Sequence, residues 1–412
     1  MKYGCIGEHL RHSFSKEVHN ALAHYEYEIK EIPPDELDSF MTERDFIAIN
    51  VTIPYKERVI PHLYFIDESA KSIGAVNTIV NKTGKLYGYN TDFYGMKALL
   101  SLAGISVKGK KIAILGTGGT SKTARAVAAA LSAREIITVS RSAKDGAITY
   151  EELYEKHSNT EVIINTTPLG MYPNIFEQPV QLSRFSNLTG VMDAIYNPMR
   201  TPLVLEAKQR GIPAEGGLCM LVAQGVRASE IFLNTKYDEN KLQSVFSKIK
   251  REKENIVLIG MPASGKSTVG KLLAEKLCRE FVDTDALVEK KTGMTIAELF
   301  KQFGEERFRQ TESEVVREIA AKTGAVIATG GGVPLKKENI SALLENGRIY
   351  FIDRPLESLL PTDDRPLSNT KEAMIQRYHE RYAIYTAAAD VQVNADCDAV
   401  QTANQIMGDF LK

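Results

Sequence analysis

The chain lacks an excess of charge, has few cysteines and has no long apolar run. Its 51 Lys and Arg offset 52 Asp and Glu, leaving a formal net charge of −1. That balance argues against nucleic acid or an anionic membrane surface as a partner. The four cysteines (Cys5, Cys219, Cys278 and Cys397) stand far apart and form no C-x-x-C pair. This disfavours a zinc site or a disulfide framework and fits a reducing compartment. No stretch approaches the ~18–20 apolar residues that a membrane span requires. Met1-Lys2-Tyr3-Gly4 leads straight into a strand-like run rather than a secretory leader, so a cytoplasmic location is expected. What remains, 43% hydrophobic and 25% charged residues, is the composition of a globular protein. A length of 412 residues suggests two or three domains and leaves oligomerisation open.

The most specific stretch is Gly260-Met261-Pro262-Ala263-Ser264-Gly265-Lys266-Ser267. It follows the apolar run Ile256–Ile259 and precedes a helical pattern opening at Thr268. Strand, glycine loop and helix are the context that a G-x-x-x-x-G-K-[ST] match needs. Glycines let the backbone curl so that its N–H groups point at phosphate oxygens, and the helix N-terminus adds positive potential. Lys266 is expected to reach the β/γ-phosphates and Ser267 to ligate Mg²⁺. Some 255 residues precede this loop, more than a nucleotide fold of about 150 residues accounts for.

Residues 1–95 alternate apolar runs with helical patterns, which implies an α/β layer structure. Strands are expected at Tyr3–Ile6, Tyr27–Glu31 and Ala48–Thr52, and helices at Lys16–His24, Pro34–Thr42 and from Lys56 to His62. Four polar clusters sit between them: His12-Ser13-Phe14-Ser15, Asn50-Val51-Thr52, Gly74–Thr78 and Asn90-Thr91-Asp92. Any one reads as turn chemistry; together they read as a pocket for a small ligand with many hydroxyls. Next, the strand Ile112–Leu115 runs into Gly116-Thr117-Gly118-Gly119-Thr120-Ser121, a dinucleotide-binding pattern with Ser121 at the third glycine. The second strand of that unit, Glu135–Val139, ends in Ser140-Arg141-Ser142 where an acid would favour NAD. An arginine there either pairs with the 2′-phosphate of NADP or is a solvated surface group. Strands at Val162–Asn165 and Gly190–Ala194 end in Asn165–Met171 and Tyr196-Asn197-Pro198, which would line the crevice of an open sheet. A helix is expected over Leu218–Leu233, with Gln224-Gly225 partway along, and residues 247–255 read as a short charged connector.

After the phosphate loop, Asp283 and Asp285 lie two residues apart at a strand end. One can hold Mg²⁺ through water while the other faces a substrate hydroxyl. No Asp ends the strand Ala325–Ala328 before Thr329-Gly330-Gly331-Gly332, so magnesium duty falls to Asp283 and Ser267. No D-x-x-G or N-K-x-D follows the phosphate loop, which argues against a GTPase. Pro361–Ser368 holds Arg365 and is either a lid closing over a γ-phosphate or an exposed turn. Arg381 and Tyr385 share a helix face.

Several of these motifs, in the right order, make residues 1 to about 248 resemble shikimate dehydrogenase. The matching pieces are His12–Ser15, Asn50–Lys56, Gly74–Thr78, Gly88–Asp92, Gly116–Ser121, Asn165–Met171, Tyr196–Pro198 and Gln224-Gly225. Residues from about 254 onward resemble shikimate kinase at the phosphate loop, Asp283/Asp285, Phe308-Arg309, Gly330–Gly332, Arg365-Pro366-Leu367 and Arg381 with Tyr385. The implied architecture is a substrate domain over 1–97, completed by helix 218–246, and a Rossmann-like NADP domain over 98–217. A linker at 247–254 and a P-loop, nucleoside-monophosphate-kinase-like parallel-sheet domain over 255–412 follow.

The resemblance also implies roles. Lys56 and Asp92 form the catalytic pair of the dehydrogenase. Ser13 and Ser15 bind the shikimate carboxylate, and Thr52, Asn77, Tyr196 and Gln224 bind the carboxylate or ring hydroxyls. Gly116, Gly118, Gly119, Thr120, Ser121, Ser140 and Arg141 hold NADP. In the kinase-like half, Gly260, Ala263, Ser264, Gly265, Lys266, Ser267 and Thr268 hold Mg-ATP. Arg309 and Arg381 clamp the shikimate carboxylate, Gly331 and Gly332 orient the acceptor, Asp285 is the general base, and Arg365 is the lid arginine. Departures are Lys16 in place of a proline, Ser140-Arg141-Ser142 in place of Asn-Arg-Thr, and no arginine between Pro355 and Asp364. The expected chain therefore reduces 3-dehydroshikimate and phosphorylates the product. The alternatives are an NAD-linked quinate/shikimate dehydrogenase half, or a shikimate-sensing module without catalysis.

Overall fold

β-Branched runs of four or five residues are too short to bury themselves, and they pair into three sheets flanked by helices. The computed structural model describes the chain except for residues 11–12, 145, 173 and 360–370. It divides into the units Met1–Ile249 and Lys250–Lys412.

The first unit opens with β1 (Tyr3–Gly7), α1 (Ser15–Leu22), β2 (Tyr27–Glu31), α2 (Leu37–Glu43), β3 (Ala48–Val51), β4 (Phe65–Ile66), α3 (Glu68–Ile73), β5 (Thr78–Lys82) and β6 (Lys85–Tyr89). These strands pair in the order β2-β1-β3-β5-β6-β4, with β5 antiparallel to both β3 and β6. The α-helix expected from Lys56 does not form. Turns lead instead to one 3-10 turn at Ile60–His62, because Pro61 has no N–H to donate into a helix interior.

Helix α4 (Asp92–Leu102) leads to β7 (Lys111–Leu115), α5 (Gly119–Ala130), β8 (Glu135–Val139), α6 (Tyr150–Lys156), β9 (Val162–Asn165), β10 (Gly190–Asp193), α7 (Pro202–Gln209) and β11 (Ala214–Glu215). The second sheet is parallel, in the order β11-β10-β9-β7-β8. The sixteen-residue helix α8 (Leu218–Leu233) then returns to pack on α4 and α1. It approaches α4 so closely that a Cβ on Gly95 would lie 2.6 Å from the Met220 carbonyl oxygen. Helix α9 (Lys241–Lys253) runs through most of the stretch expected as a connector.

The second unit contains β12 (Asn255–Ile259), α10 (Lys266–Leu277), β13 (Phe281–Asp283), α11 (Thr284–Thr292), α12 (Ile296–Ala320), β14 (Val326–Ala328), α13 (Lys337–Asn346), β15 (Gly347–Asp353), α14 (Lys371–Ala388), β16 (Val391–Asn394) and α15 (Ala399–Phe410). Its sheet is parallel, in the order β13-β14-β12-β15-β16. Every residue of the central strand β12 is buried, as covering helices on both faces require. Helix α12 breaks at Gly304 (φ 80°, ψ 175°).

At the end of α13 one acid is buried against this logic. Glu345 is 1% exposed, its Oε2 has no partner, and burial pushes its carboxyl up to about 9. The folded state therefore holds a proton that the unfolded chain releases above its ordinary value of 4.5. Stability of the second unit should be full below that value and fall as pH rises toward 9. Glu345→Gln, which mimics the protonated acid, should stabilise this unit at pH 8 by on the order of 2–4 kcal/mol. That gain should shrink to nothing near pH 4.5. Urea melts at the two pH values check this, and equal midpoints at pH 8 would refute it.

Candidate active sites

In a parallel sheet, loops leaving the C-terminal strand ends converge on one crevice. In the first unit they surround a cavity of about 1000 Å³. Its lining includes Ser13, Ser15, Thr52, Lys56, Asn77, Asp92, Thr120, Tyr196 and Gln224. Nine residues singled out from sequence thus meet in one space.

At its centre Lys56 Nζ donates to Asp92 Oδ2 at 2.6 Å, with side chains 15% and 3% exposed. Asp92 is the first residue of α4, where the free N–H groups of a helix stabilise a carboxylate. A charge-assisted bond this short and this buried fixes the lysine far better than a surface pair does. Asn77 is held from four sides. Its Oδ1 accepts from the Thr91 N–H at 2.8 Å and the Thr78 hydroxyl at 3.0 Å, and its Nδ2 donates to Thr91 Oγ1 at 3.1 Å and Gln224 Oε1 at 3.2 Å. The Ser13 hydroxyl donates to Ser15 Oγ at 3.0 Å. Tyr196 packs its ring on Phe14. Burial raises its phenol to about 12 while Ser13 opposes the shift, so it stays a neutral donor at physiological pH.

The glycine loop closes one wall. Gly116 adopts φ +108°, and a Cβ there would sit 2.8 Å from Thr166 Oγ1, so only glycine fits that turn. A Cβ on Gly119 would be 3.9 Å from Lys56 Cδ, which brings the N-terminus of α5 against the catalytic candidate. The donors and the open glycine backbone suit a dinucleotide pyrophosphate. Ser121 is buried within α5. Ser140 is half-buried and Arg141 exposed, and both stand at the end of β8, outside the cavity lining. Behind the cavity, Asp193 accepts from Asn165 Nδ2 (3.1 Å), Thr201 Oγ1 (2.7 Å) and the Ile195 N–H (3.0 Å). Burial raises its carboxyl to about 6 against those three bonds. This network ties the ends of β9 and β10, and so the loops carrying Thr166 and Tyr196.

In the second unit the phosphate loop curls through positive φ at Gly260 (151°), Ala263 (63°) and Gly265 (90°). For Ala263 that conformation costs on the order of 1–2 kcal/mol, strain of the sort that functional loops retain. Lys266 Nζ donates to the Gly260 and Met261 carbonyls at 2.9 and 2.8 Å. Ser267 Oγ donates to Asp283 Oδ2 at 2.7 Å, while Asp283 Oδ1 caps α11 by accepting from the Asp285 N–H at 3.0 Å. Two hard oxygen ligands side by side fit Mg²⁺.

Across from them, Gly330–Gly332 threads between the remaining candidates. A Cβ on Gly330 would come 2.4 Å from Asp285 Oδ1, one on Gly331 would lie 3.1 Å from Pro262, and one on Gly332 would strike the Arg309 guanidinium. The Gly331 carbonyl accepts from Arg381 Nη1 at 3.2 Å and from Tyr385 OH at 2.5 Å. Asp285, Arg309 and Arg381 are thus gathered around one glycine strand end beside the phosphate loop. Arg365 lies outside the described residues, as does His12. Gly332→Ala should displace Arg309 and raise the KM for the carboxylate-bearing acceptor by about tenfold or more, the scale of one lost charge-assisted bond. Steady-state kinetics check this; an unchanged KM would mean that Arg309 does not clamp the acceptor.

Sequence reasoning missed Glu312, whose Oε2 accepts from Arg309 Nη1 at 2.8 Å. It is 1% exposed, its Oε1 has no partner, and burial pushes its carboxyl up although Arg309 opposes this. Its position three residues after Arg309 on one helix was the available signal. Thr284 was also missed. Its Oγ1 accepts the Gly330 N–H at 2.8 Å, and nothing local marks it. In the first unit Asn50 joins Tyr27, Thr78 and the Asn77 carbonyl and lines the cavity.

A cleft between a five-stranded Rossmann-like sheet and a six-stranded mixed α/β layer, followed by a P-loop sheet, defines a nucleotide-linked oxidoreductase fold joined to a small-molecule kinase fold. Family models agree. The shikimate dehydrogenase substrate binding domain matches residues 5–79, and the shikimate kinase family matches residues 262–411. A Clostridium perfringens protein named shikimate dehydrogenase (NADP(+)) is 36% identical over 266 residues, 60% of this chain and 98% of that one. A Staphylococcus epidermidis protein of the same name is 35% identical over 272 residues, covering 61% of this chain and 100% of the relative. Among solved structures, shikimate dehydrogenase 1 of Peptoclostridium difficile matches with a TM-score of 0.56 and 36% identity, over 60% of this chain and 98% of that one. A chorismate mutase/shikimate 5-dehydrogenase fusion protein of Clostridium acetobutylicum matches with a TM-score of 0.57 and 33% identity, over 60% and 96%. The chain belongs to the shikimate dehydrogenase family over its first three-fifths and carries a shikimate kinase domain after it. It is an enzyme of the shikimate pathway with both domains in one polypeptide. No helix among the described residues is long and apolar enough to cross a membrane.

Proposed function

We propose that the first unit reduces 3-dehydroshikimate to shikimate with NADPH and that the second transfers the γ-phosphoryl of ATP to the shikimate 3-hydroxyl. The observation that carries the first step is the Lys56–Asp92 bond of 2.6 Å in a polar cavity bounded by the glycine loop. Gly116–Ser121 would hold the dinucleotide, with Ser140 and Arg141 at its adenosine end. NADPH, when bound, supplies the hydride. The relatives' names specify NADP, and a guanidinium at the end of β8 suits a 2′-phosphate. Lys56 gives its proton to the oxygen of the carbon being reduced, and Asp92 holds the ammonium in line. Ser13 and Ser15 receive the carboxylate through neutral donors, while Thr52, Asn77, Tyr196 and Gln224 orient the ring.

In the second step Arg309 and Arg381 take the carboxylate and Asp285 removes the proton of the attacking hydroxyl. Gly260–Thr268 cradles the phosphates, and Ser267 with Asp283 would hold Mg²⁺, which neutralises charge between the phosphates. Arg365 completes the proposed set. One mixture tests both steps: 3-dehydroshikimate, NADPH and Mg-ATP, with products resolved over time. Shikimate should appear first and be consumed into its 3-phosphate. Strong turnover of quinate with NAD⁺ would refute the dehydrogenase assignment, and accumulation of shikimate with ATP untouched would refute the kinase assignment.

A further inference from the structure

The residue after β15 is Arg354, and its surroundings make it part of the nucleotide site. Strand β15 lies beside β12, with Ile259 paired to Phe351. The two chains stay close past that pair, since a Cβ on Gly260 would be 2.7 Å from the Ile352 carbonyl oxygen. Asp353 then ends the strand, with Oδ2 accepting from Tyr382 OH at 2.9 Å and Gln392 Nε2 at 2.7 Å. With the strand end anchored, Arg354 reaches to the far end of the phosphate loop. A Cβ on Gly265, the residue that caps α10, would lie 3.7 Å from Arg354 Nη1. Its Nε is buried and has no hydrogen-bond partner, and no carboxylate among the described residues pairs with its guanidinium. A cation placed at a phosphate loop with no paired carboxylate among the described residues is suited to an anionic ligand.

We infer that Arg354 binds the phosphate groups of the nucleotide at Gly265, as a second cation beside Lys266. The assignment rests on the kinase reading of this unit. Lys266 is held by loop carbonyls on one side, whereas Arg354 comes from β15 on the other. A planar guanidinium can bridge two phosphate oxygens where an ammonium meets one.

Binding of MgADP and of inorganic tripolyphosphate to the full-length chain, by calorimetry, tests it. Arg354→Ala should raise the Kd of both at least tenfold, and Arg354→Lys should recover part of the loss. The Kd of shikimate at the kinase site and the ligand-free melting profile should not move. Arg354→Gln gives the same comparison if the alanine variant loosens the loop. Unchanged Kd values within twofold, in a variant that melts like the parent, would overturn the assignment. Loss of MgADP affinity with tripolyphosphate unaffected would also overturn it, because the contact would then be to the adenosine. A parent chain that binds shikimate but neither phosphate ligand would overturn the kinase reading and this inference with it.

Discussion

Lys56→Ala is expected to lower the dehydrogenase kcat by about 10³-fold, within the range that a positioned acid or base contributes. The kinase reaction of the same molecule should be unchanged, which makes it an internal control for folding. The expectation rests on geometry. The ammonium is 2.6 Å from a carboxylate that is 3% exposed, inside a cavity and against the glycine loop. Removing the lysine leaves Asp92 buried without its partner, so some loss of stability should accompany the loss of rate. Shikimate binding should persist, because Ser13, Ser15, Asn77 and Gln224 keep their own supports. Stopped-flow oxidation of NADPH and calorimetric binding of shikimate separate the two effects. A kcat within tenfold of the parent would remove Lys56 from the chemistry. Binding without turnover in the parent chain would point instead to a sensing module.

Asp285→Asn should have the comparable effect in the second unit, a fall in kinase kcat of about 10²–10⁴-fold with the KM for ATP nearly unchanged. Asparagine keeps the shape that Gly330 packs against but cannot take a proton. Asp283 and Ser267 remain in place for the metal, so nucleotide binding should survive. An equal fall in ATP affinity would mean that Asp285 serves the metal and that the two carboxylates exchange roles. Product formation by coupled assay, with MgADP binding measured on the same protein, distinguishes these outcomes.

Much of this arrangement was legible along the chain. The phosphate loop, the dinucleotide loop, the helix Leu218–Leu233 and the strands at Tyr27–Glu31, Glu135–Val139 and Val162–Asn165 follow from local apolar period and glycine placement. The helix expected at Lys56 does not form, because Pro61 has no N–H to donate into it. Thr284 escaped because its partner, the Gly330 N–H, lies on another element, and Glu312 because a buried acid resembles any surface glutamate in sequence. The isolated acid Glu345 carried no signal at all. Its distinguishing feature is a buried Oε2 with no partner among the described residues, and that exists only in the folded chain.

By itself the sequence determined the local machinery: which glycine loops join a strand to a helix and which strand ends carry polar side chains. These depend on interactions within a few residues, and physical chemistry reads them directly. Tertiary structure decided which groups meet. Lys56 finds Asp92 across 36 residues, Asn77 finds Gln224 across 147, and the Gly331 carbonyl finds Tyr385 across 54. Crossover helices bring distant strand ends to one edge of a parallel sheet. Backbone approaches as close as those at Gly95, Gly330 and Gly332 then decide which side chains lie within a hydrogen bond of one another.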